Sequence, residues 1–204
     1  MSVSRFALGG LAALTIAGPA AAAPVVGAAA PAFSAVDADG RARSLAEFKG
    51  RTVVLEWTNG GCPYVQKHYR SGTMQALQKA AASDGVVWLT LISSAPGKQG
   101  YVAPGDEARA WKASTGAGSA ELLLDPAGKV GRAYEAKTTP HMYVVDKAGT
   151  LVYMGGVDDR PVADPASLKG ATNYVAAALS DLKAGRKVAT AMSKPYGCSI
   201  KYAE

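Results

Sequence analysis

The stretch Val53-Val54-Leu55-Glu56-Trp57-Thr58-Asn59-Gly60-Gly61-Cys62-Pro63-Tyr64-Val65-Gln66-Lys67-His68-Tyr69 decides the fold. A β-branched apolar run stops at a polar, glycine-rich turn, the turn delivers a cysteine and a proline, and a helix-compatible segment follows. Proline is tolerated in the first helical turn, where its missing N–H would have no partner anyway. The spacing therefore predicts Cys62 at or just before a helix N-terminus. Unpaired backbone N–H groups and the positive end of the helix dipole there favour thiolate over thiol. Most free cysteines are small buried hydrophobes; this strand–turn–Cys-Pro–helix order predicts instead a nucleophile, ionised and reachable.

Outward from this stretch, Thr52–Thr58 reads as a strand, and Gly85–Ile92 is a second apolar run of the kind buried parallel sheets use. Between them Met74, Leu77 and Ala81 recur at helical spacing, with Gly72 as a break after Tyr69. A helix is predicted over Asp106–Ser114, a short strand over Glu121–Leu124 and a helix over Gly128–Ala136. Met142–Val145 and Leu151–Met154 flank a hairpin turn, Asp146-Lys147-Ala148-Gly149-Thr150. A last helix of roughly 16 residues, about 24 Å long, carries the stripe Tyr174, Val175, Ala178, Leu179 and Leu182 and ends at Lys183-Ala184-Gly185-Arg186. Strand–helix–strand order implies a parallel crossover. The sum is an α/β sandwich: a central mixed β-sheet flanked by helices.

The 204 residues suit one domain with a substantial core. Residues 1–22 read as a signal peptide: Arg5 is the single charge, Phe6 to Ala17 is apolar and small, Gly18-Pro19 breaks the run, and Ala20-Ala21-Ala22 fits a cleavage site. The expectation is a secreted or periplasmic protein, with an uncleaved anchor facing the periplasm as the alternative. Residues 23–186 form the domain and 187–204 a tail carrying Cys198. The formal charge of +6 is spread over scattered lysines and arginines without a run or interleaved aromatics, so nucleic-acid binding is not inferred. Two cysteines entering an oxidising compartment leave both a structural disulfide and a reactive pair open.

The central stretch resembles the reactive loop of the thioredoxin-fold redoxins, the group of peroxiredoxins, thioredoxins and their secreted relatives. The opening segment from Gly27 through Pro31 and Phe33, then Asp37-Ala38-Asp39-Gly40, Leu45 and Phe48-Lys49-Gly50, is similar to theirs. Thr138-Thr139-Pro140, followed by Met142-Tyr143-Val144-Val145-Asp146, resembles their cis-proline loop and next strand. The resemblance implies a cis Pro140 set against Cys62 and offering backbone pairing to a substrate. It also implies a proton-moving role for Glu56, six positions before the cysteine. A strand-end Glu56 paired with a surface lysine or arginine is the alternative.

Ligand sites in such sheets gather at the carboxyl ends of the parallel strands. That places the loop Ser93–Tyr101 and the segment Gly155–Arg160 at the rim with Cys62. Trp57, Thr58, Asn59, Gly60, Gly61, Pro63, Thr139 and Pro140 are the residues expected to shape the site. Lys67 and His68 lie five and six positions into the helix, well around it from Cys62. The helix N-terminus and the Asn59–Gly61 amides are therefore credited with activating the thiol first, and His68 second. An extended tail from Lys187 to Cys198 spans up to ~40 Å, enough to return to Cys62, so Cys198 is a candidate resolving thiol, with a static Cys62–Cys198 disulfide as the alternative.

Three functions follow. A lone cysteine without C-x-x-C, followed by proline as in peroxiredoxins, favours peroxide reduction. Asn59 stands where peroxiredoxins carry threonine or serine, and Thr139-Pro140 stands where they carry an arginine. Thiol–disulfide exchange on protein disulfides is the second reading. The third is a metal-binding protein using Cys62, Cys198, His68 and His141, whose spacing fits no metal motif. No cofactor is called for. The partners expected are a thiol reductant protein, either thioredoxin-like or a membrane electron carrier, and a peroxide or protein-disulfide substrate.

Overall fold

The computed structural model describes residues 23–204, so the leader predicted over 1–22 lies outside the described residues. In chain order the elements are β1 (Ser34–Asp37), β2 (Ala42–Ser44), β3 (Val53–Trp57), α1 (Pro63–Arg70), α2 (Thr73–Ser83), β4 (Val87–Ile92), α3 (Asp106–Thr115) and β5 (Glu121–Leu124). They continue with α4 (Lys129–Ala133), β6 (Thr138–Thr139), β7 (His141–Val145), β8 (Leu151–Gly155), α5 (Tyr174–Lys183) and β9 (Cys198–Ser199). Seven strands form one mixed sheet in the order β2-β1-β5-β4-β3-β7-β8. β3, β4 and β5 run parallel; β1 and β7 flank them antiparallel. The expected α/β sandwich is what the chain builds.

Alternation along β3 divides the core in two, because successive strand residues face opposite sides of a sheet. Val53, Leu55 and Trp57 pack with Phe33, Phe48, Tyr134 and Tyr143. Val54 packs with Met74, Trp88, Val175 and Ala178 of the other layer, and Cys62 belongs to that layer. The break expected at Gly72 is real: this glycine takes φ +75 between α1 and α2, in the left-handed region where a Cβ is disfavoured.

Two expectations need correction, and one strand pair was not foreseen. The last helix is 10 residues long, because the Asn173 side chain caps it at 2.9 Å from the Ala176 N–H and so starts it late. The helix expected over Gly128–Ala136 ends at Ala133, with Glu135 turned to φ 48 beyond it. The short strands β6 and β9 carry no periodicity of their own; they form only where the tail meets the segment before Pro140, pairing Thr138 with Ser199 and Thr139 with Cys198.

Candidate active site

The loop after β3 is built by its own side chains. The Asn59 carbonyl accepts the Cys62 N–H at 2.9 Å while Asn59 Oδ1 accepts the Gly61 N–H at 2.9 Å, the self-bonding turn that asparagine favours. Asn59 Nδ2 reaches the Gln99 carbonyl at 3.3 Å, and Gln99 Nε2 returns a bond of 3.3 Å to the Gly61 carbonyl. The loop Ser93–Tyr101 thus sits beside Cys62, as its place at the strand ends requires. Gly60 lies against Trp111 and Gly61 against Gln99, where a Cβ would come within 2.9 Å of either side chain. Thr58 donates its N–H to the Leu91 carbonyl at 3.0 Å, and its buried hydroxyl has no partner among the described residues.

Cys62 is the N-cap of α1, with extended backbone (φ −86, ψ 122) and Pro63 in the first turn. Burial pushes its thiol pKa up, but bonding from the Cys198 thiol, the Val65 amide, the Cys198 amide and the Thr139 side chain outweighs this and holds it below the ordinary value. The protonated sulfur donates to the Thr139 carbonyl at 3.1 Å, next to the cis Thr139–Pro140 bond. Cys198 moves the opposite way, to about 11, through its own burial and then its bonding to Cys62. No disulfide joins the two cysteines here. Across the pair the proton belongs on Cys198 and the negative charge on Cys62.

Cys62 is 0% exposed, which corrects the expectation of a reachable sulfur. The reason lies far along the chain: β9 seats Cys198 on Thr139, and the tail closes over the helix mouth. Gly197 permits this approach. It adopts φ +133, and a Cβ there would run into the Thr139 carbonyl oxygen.

Glu56 is fully buried and forms no ion pair among the described residues. Its carboxylate accepts from Tyr69 Oη at 2.9 Å, Gln78 Nε2 at 3.1 Å, Trp88 Nε1 at 2.8 Å and Thr90 Oγ1 at 3.4 Å. Burial raises its pKa, and the four hydrogen bonds recover only part of the shift. The alternative of a strand-end ion pair is therefore not what the fold makes. None of its hydrogen bonds goes to Cys62.

Two other residues land away from the sulfur. Trp57 faces the opposite core layer, where its indole N–H donates to Ser93 Oγ at 3.0 Å; it supports the sheet and does not line the site. His68 is buried, but its Nε2 lies 3.3 Å from Tyr196 Oη and 3.7 Å from Asp158 Oδ2. Burial lowers its pKa to about 4, leaving it neutral at physiological pH. His141 bonds Lys137 N and Tyr143 Oη instead. The four soft ligands are thus not assembled, and among the described residues no group of three or more His, Cys, Asp or Glu side chains could hold a metal ion.

Sequence reading missed Lys67, Asp158 and Tyr196 as a unit. Lys67 reads as one of many surface cations, yet its side chain is fully buried. Its Nζ donates to the Arg160 carbonyl at 2.7 Å and to Tyr196 Oη at 3.0 Å, with Asp158 Oδ2 at 3.5 Å. Nothing local marks these residues, which are distant from one another along the chain.

Titration of the reduced protein at 240 nm, where thiolate absorbs, checks the thiol pair. Two separate steps are expected, one below the ordinary value of 9.0 and one near about 11, with the first absent in Cys62→Ser. A single step for both thiols at the ordinary value would refute the charge assignment.

Among solved structures, an uncharacterized conserved protein from Geobacillus kaustophilus aligns at a TM-score of 0.73 and 24% identity, covering 88% of this chain and 93% of its own. A hypothetical protein from Sinorhizobium meliloti 1021 aligns at 0.70 and 25% identity, over 88% and 95%. The thioredoxin domain of a thiol-disulfide oxidoreductase from Bacteroides vulgatus aligns at 0.50 and 21%, over 64% and 87%, and shares the thioredoxin-like fold. No curated protein matches the chain. The Redoxin family profile matches residues 25–171, which include Cys62, Glu56 and the cis-proline loop but stop short of Cys198. With its sheet order and a cysteine at a helix mouth beside a cis-proline, the chain belongs to the Redoxin family and is a thiol-based redox protein.

Proposed function

We propose that the protein reduces peroxides through a two-cysteine cycle, with Cys62 as attacking thiolate and Cys198 as resolving thiol. The observation that carries this is the seat of Cys198, paired with Thr139, whose carbonyl accepts the Cys62 thiol at 3.1 Å. The Cys62 thiolate attacks one peroxide oxygen and the O–O bond breaks. The departing alkoxide or hydroxide takes a proton, and the sulfur, oxidised by two electrons, becomes a sulfenic acid. The Cys198 sulfur then attacks Cys62: an S–S bond forms, the S–O bond breaks, and water leaves. A thiol reductant protein, either thioredoxin-like or a membrane electron carrier, returns two electrons and two protons. Asn59, Gly60, Gly61 and Pro63 hold the loop that presents the sulfur. Thr139 and Pro140 bound the reaction space, and Glu56 serves as a proton store beneath it. Residues 1–22 fit export to the periplasm or beyond.

Thiol–disulfide exchange is the second reading. It is favoured by the register of β9, because a cysteine opposite Thr139 sits where a peptide substrate would pair. The same register weighs against it: the chain's own tail fills that edge, so a protein substrate must displace β9 and take its place, whereas a peroxide needs only an opening wide enough to reach the sulfur. The test treats the reduced protein with one equivalent of hydrogen peroxide and, separately, with a scrambled disulfide protein, and follows products by mass spectrometry. Rapid formation of a Cys62–Cys198 disulfide with peroxide is expected. Mixed disulfides forming with the protein substrate alone would reject the peroxidase.

A further inference from the structure

The tail beyond the family match is fastened on both sides of Cys198. Downstream, the Ile200 N–H donates to the Lys137 carbonyl at 3.1 Å, and Tyr202 Oη to the Ala136 carbonyl at 2.7 Å. Upstream, Tyr196 Oη donates to Asp158 Oδ1 and accepts from Lys67 Nζ. The Tyr196 ring stands edge-on to Tyr64 at 5.8 Å, with the Lys67 ammonium 4.9 Å from its centroid. Tyr64 and Lys67 belong to α1, the helix that Cys62 caps, and Tyr196 stands two residues before Cys198. One polar cluster therefore ties the helix of the first thiol to the strand of the second.

We propose that Tyr196, Asp158 and Lys67 are positioning residues for Cys198, a buried latch that sets how firmly the second thiol is held against Cys62. The proposal rests on the two-cysteine cycle above and adds to it the residues that govern the pairing. The chemistry suits a latch better than an anchor. A buried ion pair gives up hydration to form, and losing one partner leaves the other charge stranded. When the tail lifts, Lys67 and Asp158 meet water together, which offsets part of the cost of opening. An apolar plug would recover nothing on opening. The hydroxyl of Tyr196 is the tail's sole contribution to the Lys67–Asp158 pair among the described hydrogen bonds. Removing it weakens the latch while sparing the aromatic packing.

Two readouts test this. The first is the glutathione equilibrium of the Cys62–Cys198 disulfide in an otherwise intact chain. The second is the rate at which iodoacetamide alkylates Cys62 in the Cys198→Ser background, where no disulfide can form. Tyr196→Phe is expected to shift the equilibrium about tenfold toward the dithiol and to raise the alkylation rate about tenfold, the equivalent of one hydrogen bond to a charged group. Asp158→Asn is expected to do the same more strongly. If it fails to fold, Tyr196→Phe carries the test alone. A Tyr196→Phe protein with a lowered melting temperature but both thiol readouts unchanged would assign the cluster a merely structural role and overturn the latch, leaving the cycle intact. A parent protein that never forms the Cys62–Cys198 disulfide would overturn the cycle and the latch together.

Discussion

Cys198→Ser is expected to oxidise once and then stall. In the parent, Cys198 lies across from Thr139, the residue whose carbonyl the Cys62 thiol bonds, and packs against the same core layer as Cys62, so the second step is intramolecular and needs no encounter. Well-oriented intramolecular reactions behave as if the partner were present at very high concentration, and removing it is expected to slow turnover by at least about a hundredfold under millimolar external thiol. Reaction with one equivalent of peroxide should leave sulfenic acid on Cys62, trappable by dimedone and visible as an added mass on the peptide containing Cys62. Peroxide turnover in Cys198→Ser at the parental rate would contradict the resolving role. Cys62→Ser should abolish turnover outright.

Glu56 carries the largest expected effect on stability. Its carboxylate receives donors from Tyr69, Gln78, Trp88 and Thr90 in an environment closed to water. Glu56→Ala strands these donors and leaves a cavity, for an expected loss of roughly 3–6 kcal/mol by urea unfolding. That is comparable to the whole stability of many domains, about 5–15 kcal/mol. Glu56→Gln separates charge from shape. Burial holds the folded pKa above the ordinary 4.5. Between those two values the native protein keeps a proton that the unfolded chain has released. The contribution of this group to stability therefore falls as pH rises through that window, by at most about 1.4 kcal/mol per pH unit, and is flat above it. Unfolding measured from acid to neutral pH should find the parent losing ground to Glu56→Gln as pH rises. A parent that gains on the variant across that range would mean an ionised, stabilised carboxylate.

The proposed cycle and the latch share a physical logic. The β9 pairing both completes the polar surroundings that lower the Cys62 pKa and removes the sulfur from solvent. Activation and protection come from the same contact, so every turnover must open it. The tail's two fastenings differ in kind. Tyr202 is wedged against Gly128 and Gly131, where Cβ atoms would collide with its ring; Tyr196 is held through a charge pair that water can replace.

What the sequence determined by itself is local. The apolar alternation of β3, the asparagine–glycine turn and the proline after Cys62 act over a few residues, and they placed a thiol at a helix mouth without any tertiary contact. The order of strands and helices likewise set the mixed sheet and the loops that surround the thiol. Tertiary structure alone decided that the sulfur is covered, that Lys67 is buried, that Trp57 belongs to the far core layer and that Tyr196 joins Asp158. Each of these depends on residues far apart along the chain, 129 positions in the case of Lys67 and Tyr196. The cause is that a charge or an aromatic ring is buried only when a distant segment closes over it, and no pattern within either segment records that meeting.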